Sequence, residues 1–183
     1  MTLPRLLVTV LVVAGLTGCR SRPRAPALDN SPVYVNRQEG FRFLVPEGWV
    51  QQSKAEIPPG YRLDDSERTV VLYRAFKPTP ASMDVSCRDI PEDVDIGAFL
   101  AKRKRSGVGW SRAAPPESVE YGGRKGTRYF LKGSPGGLPT RCEAVVFRRG
   151  GRVYFFGGFY PAGETIRRAQ IRQFLEDLTW TSD

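Results

Sequence analysis

Gly40-Phe41-Arg42-Phe43-Leu44-Val45-Pro46-Glu47-Gly48-Trp49 carries a strand, a turn and the restart of a strand in consecutive residues. Phe41, Phe43 and Val45 fall on one side of an extended chain and Arg42 on the other, the period of a half-buried strand. Pro46-Glu47-Gly48 is a turn signal, because proline fixes its own φ and glycine accepts conformations closed to other residues. Trp49-Val50 then resumes extended structure. The stretch predicts a hairpin that opens an antiparallel sheet and turns about a buried Trp49.

The rest of the chain extends this pattern. Ile57 to Asp65, with Pro58-Pro59-Gly60, reads as a loop, and Thr69 to Phe76 as a strand rich in β-branched and aromatic residues. Lys77-Pro-Thr-Pro80 turns into Ser82 to Asp89, where Met83, Val85 and Cys87 alternate with polar residues and predict one buried face and one wet face. Pro91 to Ser106 reads as the first helix, with Ile96, Phe99 and Leu100 as its apolar stripe and Gly107 as its stop. Asp93 and Asp95 load its start and Lys102, Arg103, Lys104 and Arg105 its end, as the helix dipole prefers. That basic run is either helix-end charge or a candidate anion-binding patch. Ser118–Tyr121, 124–132, 140–148 and 152–160 read as four consecutive strands. Gly122-Gly123 and Gly150-Gly151 lie between strands as two-residue hairpin signals. Gly133 to Gly137 lacks the spacing of a phosphate-binding loop and opens no helix. A last helix spans about Gly163 to Thr179, burying Ile171, Phe174, Leu175 and Leu178 and leaving Arg168, Arg172 and Glu176 outside, with Trp180 sealing the core.

Two phrases make this order resemble the PsbP-like superfamily: the aromatic strand and Pro-x-Gly-Trp turn of residues 40–49, and a close in which Gly151-Arg-Val-Tyr-Phe-Phe156 is followed by a helix from Ile166 to Trp180. The resemblance implies an α+β fold, an antiparallel β-sheet with helices packed on its faces in an α/β/α sandwich, in one domain over residues 32–183. It also implies non-enzymatic binding, shared by members as different as photosystem II extrinsic subunits and a nuclear factor that binds the Ran GTPase. Phe41, Phe43, Pro46, Gly48 and Trp49 are structural in such a fold, so no functional residue is carried over.

Upstream lies a different kind of segment. A start bearing Arg5 leads into an apolar run from Leu6 to Leu16, too short for the roughly 20 residues of a bilayer span and of the length of a signal-peptide core. Leu16-Thr17-Gly18-Cys19 resembles the bacterial lipobox, which implies a lipoprotein signal peptide over residues 1–18 and a Cys19 carrying a diacylglyceryl thioether and an N-acyl chain such as palmitate. The alternative is a plain signal peptide with an incidental cysteine; both export the chain. Residues 19–31 read as the lipidated cysteine and an extended Arg/Pro/Ala-rich tether, whose Arg20, Arg22 and Arg24 either touch anionic headgroups or are simply solvated. The expected location is the cell envelope, lipid-anchored to a bacterial membrane, with the outer membrane favoured because no aspartate follows Cys19.

Composition narrows the chemistry. The chain contains no histidine, which excludes Ser-His-Asp and Cys-His catalysis and His-ligated zinc. No cofactor or metal is expected. The net charge of +9 points, outside the cytoplasm, to anionic lipid, cell-wall polymer or an acidic envelope protein as partner, and not to nucleic acid. With Cys19 acylated, Cys87 and Cys142 remain, both in inward strand phases; an oxidising envelope predicts a buried disulfide between them, the alternative being two buried thiols. The acidic clusters Asp64-Asp65 and Glu92-Asp93-Asp95 are more simply a loop and a helix start. The expected function is therefore a non-enzymatic binding or assembly-support module. The alternatives are a basic module docking on anionic lipid or polymer, and a carboxylate-dependent hydrolase.

Overall fold

Sheet edges and glycine turns set the architecture. A computed structural model of the chain describes residues 32–52, 67–102, 104–105 and 108–181. In chain order the elements are β1 (Val33–Asn36), β2 (Phe41–Leu44), β3 (Val50–Gln51), β4 (Arg68–Ala75), β5 (Ala81–Asp89), α1 (Ile96–Lys102), β6 (Lys104–Arg105) and β7 (Val108–Gly109). There follow β8 (Ser111–Tyr121), β9 (Arg124–Gly133), a 3-10 turn at Pro135–Gly137, β10 (Thr140–Arg149), β11 (Arg152–Pro161), α2 (Thr165–Glu176) and β12 (Thr179–Trp180). A seven-stranded antiparallel sheet runs β3-β4-β5-β11-β10-β9-β8, and a three-stranded one runs β1-β2-β12.

The four strands from β8 to β11 form a meander, as the sequence predicts. Gly122 and Gly123, at φ 57° and 76°, supply the two left-handed residues of a tight hairpin between β8 and β9. The first turn behaves otherwise. Pro46–Gly48 does not fold β2 back on β3; it carries the chain from the small sheet to the large one, where Val50 pairs with Arg74. The partners of β2 are β1 and, from the far end of the chain, β12, with Trp180 opposite Phe41. The first helix is also shorter than predicted. Val94 N–H bonds the Pro91 carbonyl in a turn, and Asp95 Oδ1 then accepts from Gly97 N–H as a helix cap, so helix begins only at Ile96. Its basic end is not helical throughout: Lys104–Arg105 pairs with Val108–Gly109 as a short hairpin.

Apolar side chains gather on both faces of the large sheet. On one face Phe41, Phe43, Phe147, Phe156 and Trp180 meet Ile171, Phe174 and Leu175 of α2. Phe43 meets Phe174 edge-on at 4.7 Å between ring centres, and Phe41 meets Phe156 at 5.1 Å. Gly158 of β11 is what lets α2 lie so close, because a Cβ there would collide with Ile171. On the other face, Leu131, Ala144, Val146, Val153 and Phe155 pack under Leu100 of α1 and Trp110. One helix on each face is a thinner covering than a full α/β/α sandwich, and the three-stranded sheet shares the work on the α2 side.

Two-sided covering overturns two expectations. β5 is buried from Ala81 to Cys87, Asp84 and Ser86 included, so it has no wet face. Cys87 and Cys142 are both buried, and no disulfide joins them. Cys87 belongs to the α2-side cluster and Cys142 to the other, and β11 runs between their strands. An inward phase places a residue inside, but here there are two insides, and no disulfide can reach through the sheet.

Candidate functional site

β10 sends Val145 and Phe147 into the α2-side core, and Glu143 shares their phase. Its carboxylate is buried, at 1% exposure, yet sits beside an open groove of about 410 Å³. Tyr160, on β11, donates to Oε1 at 2.9 Å. Arg168 and Arg172 are one helical turn apart on α2 and reach the same carboxylate, Arg168 Nε to Oε1 at 2.9 Å and Arg172 Nε to Oε2 at 3.2 Å. Arg128 of β9 lies 3.7 Å from Oε2 and 3.6 Å from Glu176. The bond from Arg168 to Glu143 holds its guanidinium charge more firmly than usual. Burial, reinforced by donation to Glu143, pushes the Tyr160 hydroxyl well above its ordinary value. A carboxylate so fully engaged with donors is an anchor for guanidiniums. Arg141, Phe130, Glu117, Glu164 and Thr165 complete the groove.

A second groove, of about 420 Å³, adjoins Tyr160 from the other side and is mostly apolar. Trp110 and Phe159 meet edge-on at its wall, 5.4 Å apart, and the exposed side chains of Phe76 and Leu138 flank it.

Glu39 is a further buried carboxylate with arginines around it. It accepts from Tyr154 Oη at 2.7 Å and from Arg68, and pairs with Arg152 at 3.4 Å. Its backbone carbonyl accepts from Arg149 Nη1 at 2.9 Å. Burial opposes its ionisation, but the bonds from Tyr154 and Arg68, with the nearby charge of Arg152, outweigh it and hold the carboxyl below its ordinary range. Arg68 also approaches Cys87 Sγ at 3.4 Å, and burial nonetheless raises that thiol.

The residues singled out from sequence are not brought together here. Cys19, with the signal peptide and tether, lies outside the described residues, as do Arg103 and Asp64-Asp65. Lys102 ends α1, and Lys104 and Arg105 form β6. Cys87 and Cys142 sit in separate clusters. Asp95 is a helix cap, and among the described residues no group of three or more acidic or cysteine side chains gathers to hold a metal. Glu143, with Arg128, Arg168 and Arg172, was not singled out. The signal was an acid in the apolar phase of a strand, since a charge there must be paired.

The fold resembles that of solved PsbP-like structures. The chain is similar to cyanobacterial PsbP (CyanoP) from Synechocystis sp. PCC 6803, with a TM-score of 0.58 at 14% identity over 81% of this chain and 91% of that one. It is also similar to LpqN of Mycobacterium tuberculosis, described as involved in cell envelope biogenesis, at TM-score 0.53 and 16% identity over 82% and 92% of the two chains. A protein of Bacteroides thetaiotaomicron matches at TM-score 0.53 and 11% identity, over 83% of this chain and 49% of its own. No protein-family model matches the chain, and no curated protein matches it in sequence.

Proposed function

We propose that this chain is a non-enzymatic binding module of the bacterial cell envelope, anchored by lipid on Cys19, which engages its partner through the groove at Glu143. One observation carries the reading. Glu143 is spent on Tyr160, Arg168 and Arg172, while the two arginines keep half-exposed faces in an open groove. That is an arrangement suited to recognition, because the buried acid is engaged by donors and the arginines above it are the groups left facing the groove. The fold likeness to LpqN, a protein tied to envelope biogenesis, agrees with the location read from residues 1–19, and Arg20 after the cysteine favours the outer membrane. The partner is an envelope protein or an anionic polymer. Docking on anionic lipid through Lys102 to Arg105 is the second reading, favoured by the hairpin on which Lys104 and Arg105 stand.

The test is membrane fractionation with acyl labelling, together with photo-crosslinking from Thr165 in the groove. Wild-type protein is expected in the membrane fraction, acylated, with a crosslink that Arg168→Glu abolishes; Cys19→Ser is expected in the soluble fraction. Unchanged labelling and partitioning of Cys19→Ser, or a crosslink indifferent to Arg168→Glu, would sink the reading.

A further inference from the structure

An arginine can grip a carboxylate with two parallel N–H groups at once, from both Nη or from Nε and one Nη. Arg168 and Arg172 each spend only one hydrogen bond on Glu143. Each meets Glu143 through Nε, Arg168 on Oε1 and Arg172 on Oε2, which leaves both Nη nitrogens of both residues without a hydrogen-bond partner among the described residues. Both side chains are about half exposed, at 50% and 41%, and both line the groove. Glu143 thus holds the two guanidiniums by their inner nitrogens and leaves four N–H-bearing nitrogens without a hydrogen bond to it.

The surroundings add to the positive side. Arg141 lines the same groove with no ion pair among the described residues. Beneath, Arg128 is buried at 7% exposure, and its Nε and Nη2 have no hydrogen-bond partner among the described residues. Its distances of 3.7 Å to Glu143 and 3.6 Å to Glu176 are ion-pair distances and not hydrogen bonds. Three arginines therefore surround one fully buried acid, and a fourth, Arg141, lines the groove beside it. Glu117 and Glu164 stand among the lining residues and offset part of this charge. A polyanion would meet them with repulsion; one negative charge carried between neutral, hydroxylated arms would not. Hydroxyls on those arms would donate to Glu117 and Glu164 and could donate to or accept from Thr165.

We infer that the groove between α2 and β8–β10 is a binding site for a monoanionic phosphodiester, whose two non-bridging oxygens are held by the Nη groups of Arg168 and Arg172. This deepens the proposed function and rests on its reading of the groove as the binding surface. A phosphodiester of this kind comes from a glycerophospholipid headgroup or from a soluble glycerophosphodiester, and the chemistry recognised is the same.

The experiment is calorimetric titration of the full chain carrying Cys19→Ser, so that no acyl group contributes, with glycerophosphoglycerol in solution and, in a second arm, with vesicles of phosphatidylglycerol. Saturable binding of glycerophosphoglycerol is expected, weakened about tenfold or more by Arg168→Gln and by Arg172→Gln, since each removes a charge-assisted fork. Arg168→Lys keeps the charge and loses the fork, and is expected to restore only part of the loss. Binding in both arms identifies the lipid as a source; binding of the free headgroup without the vesicles identifies a soluble source. No heat with glycerophosphoglycerol, or binding unaltered in both glutamine variants, overturns the inference. So does vesicle binding that disappears when Lys102 to Arg105 are neutralised but survives Arg168→Gln. The outcome for Cys19 is separate: a failure there removes the anchored-module reading and leaves phosphodiester binding as measured.

Discussion

Glu39 and Glu143 are both buried glutamates that accept from a tyrosine and from arginines, yet they do different work. Glu39 lies in the turn between β1 and β2, and its partners Arg68, Arg152 and Tyr154 belong to the large sheet. Asn36 Oδ1 takes its backbone N–H and Arg149 its carbonyl, so side chain and backbone together staple the small sheet to the large one. Glu143 lies inside a strand whose ladder bonds already fix it; Arg128 reaches it from the neighbouring strand, and Arg168 and Arg172 reach it from a helix that borders an open groove. A buried acid enclosed by its own fold is a fastener; a buried acid at the floor of a groove sets the geometry of what is exposed above it.

Glu39→Ala is expected to have the largest effect. Breaking a buried pair from one side costs about 3–5 kcal/mol, and the low end applies because Arg68 and Arg152 are 48% and 40% exposed and regain water. Urea unfolding measures it; a loss below about 1 kcal/mol would place Glu39 with ordinary surface acids. Acid should reproduce part of the same loss. The folded carboxyl is held below its ordinary range, so its stabilisation is complete above about pH 4.3 and is lost as pH falls through the depressed folded value. The gap in urea midpoint between wild type and Glu39→Gln should therefore be wider at pH 7 than at pH 3; a constant gap would deny Glu39 this role.

Gly158→Ala acts on the other glutamate alone. Its methyl group would strike Ile171, and α2 would have to move off the sheet, carrying Arg168 and Arg172 with it. Overpacking of this kind costs about 1–3 kcal/mol. Crosslinking from Thr165 should fall in a variant that remains folded, while the acid response of Glu39 stays as in wild type. Loss of that response together with the crosslink would mean the two networks are one.

The contrast also marks where the sequence stops being readable. Strands from Ser118 onward, their glycine hairpins, the apolar stripe of α2 and the burial of Trp49 and Trp180 follow from local period and turn chemistry. Pro46–Gly48 announces a change of direction but not a change of sheet, because the partner strand of β2, Thr179–Trp180, is remote in sequence. Cys87 and Cys142 each declare themselves inward, but alternation does not say which of two covered faces a residue meets. Arg168 and Arg172 read correctly as the outer side of a helix; the acid that organises them is on β10, and only the unusual company of Glu143 with Val145 and Phe147 hints at it.

The smallest expected effect separates the two sites most sharply. Arg168→Gln removes one partner of Glu143, but Tyr160, Arg172 and Arg128 remain around the acid, and Arg168 itself is half in water. Half-exposed ion pairs contribute about 0–1 kcal/mol, so the urea midpoint should move by no more than that corresponds to. Glu143 stays satisfied, the sheet ladder on either side is untouched, and α2 keeps Ile171, Phe174 and Leu175 in the core. Stability should therefore be nearly unchanged where binding is lost. A loss of several kcal/mol would instead make Arg168 a fastener like those of Glu39, and the groove above Glu143 a by-product of holding the helix down.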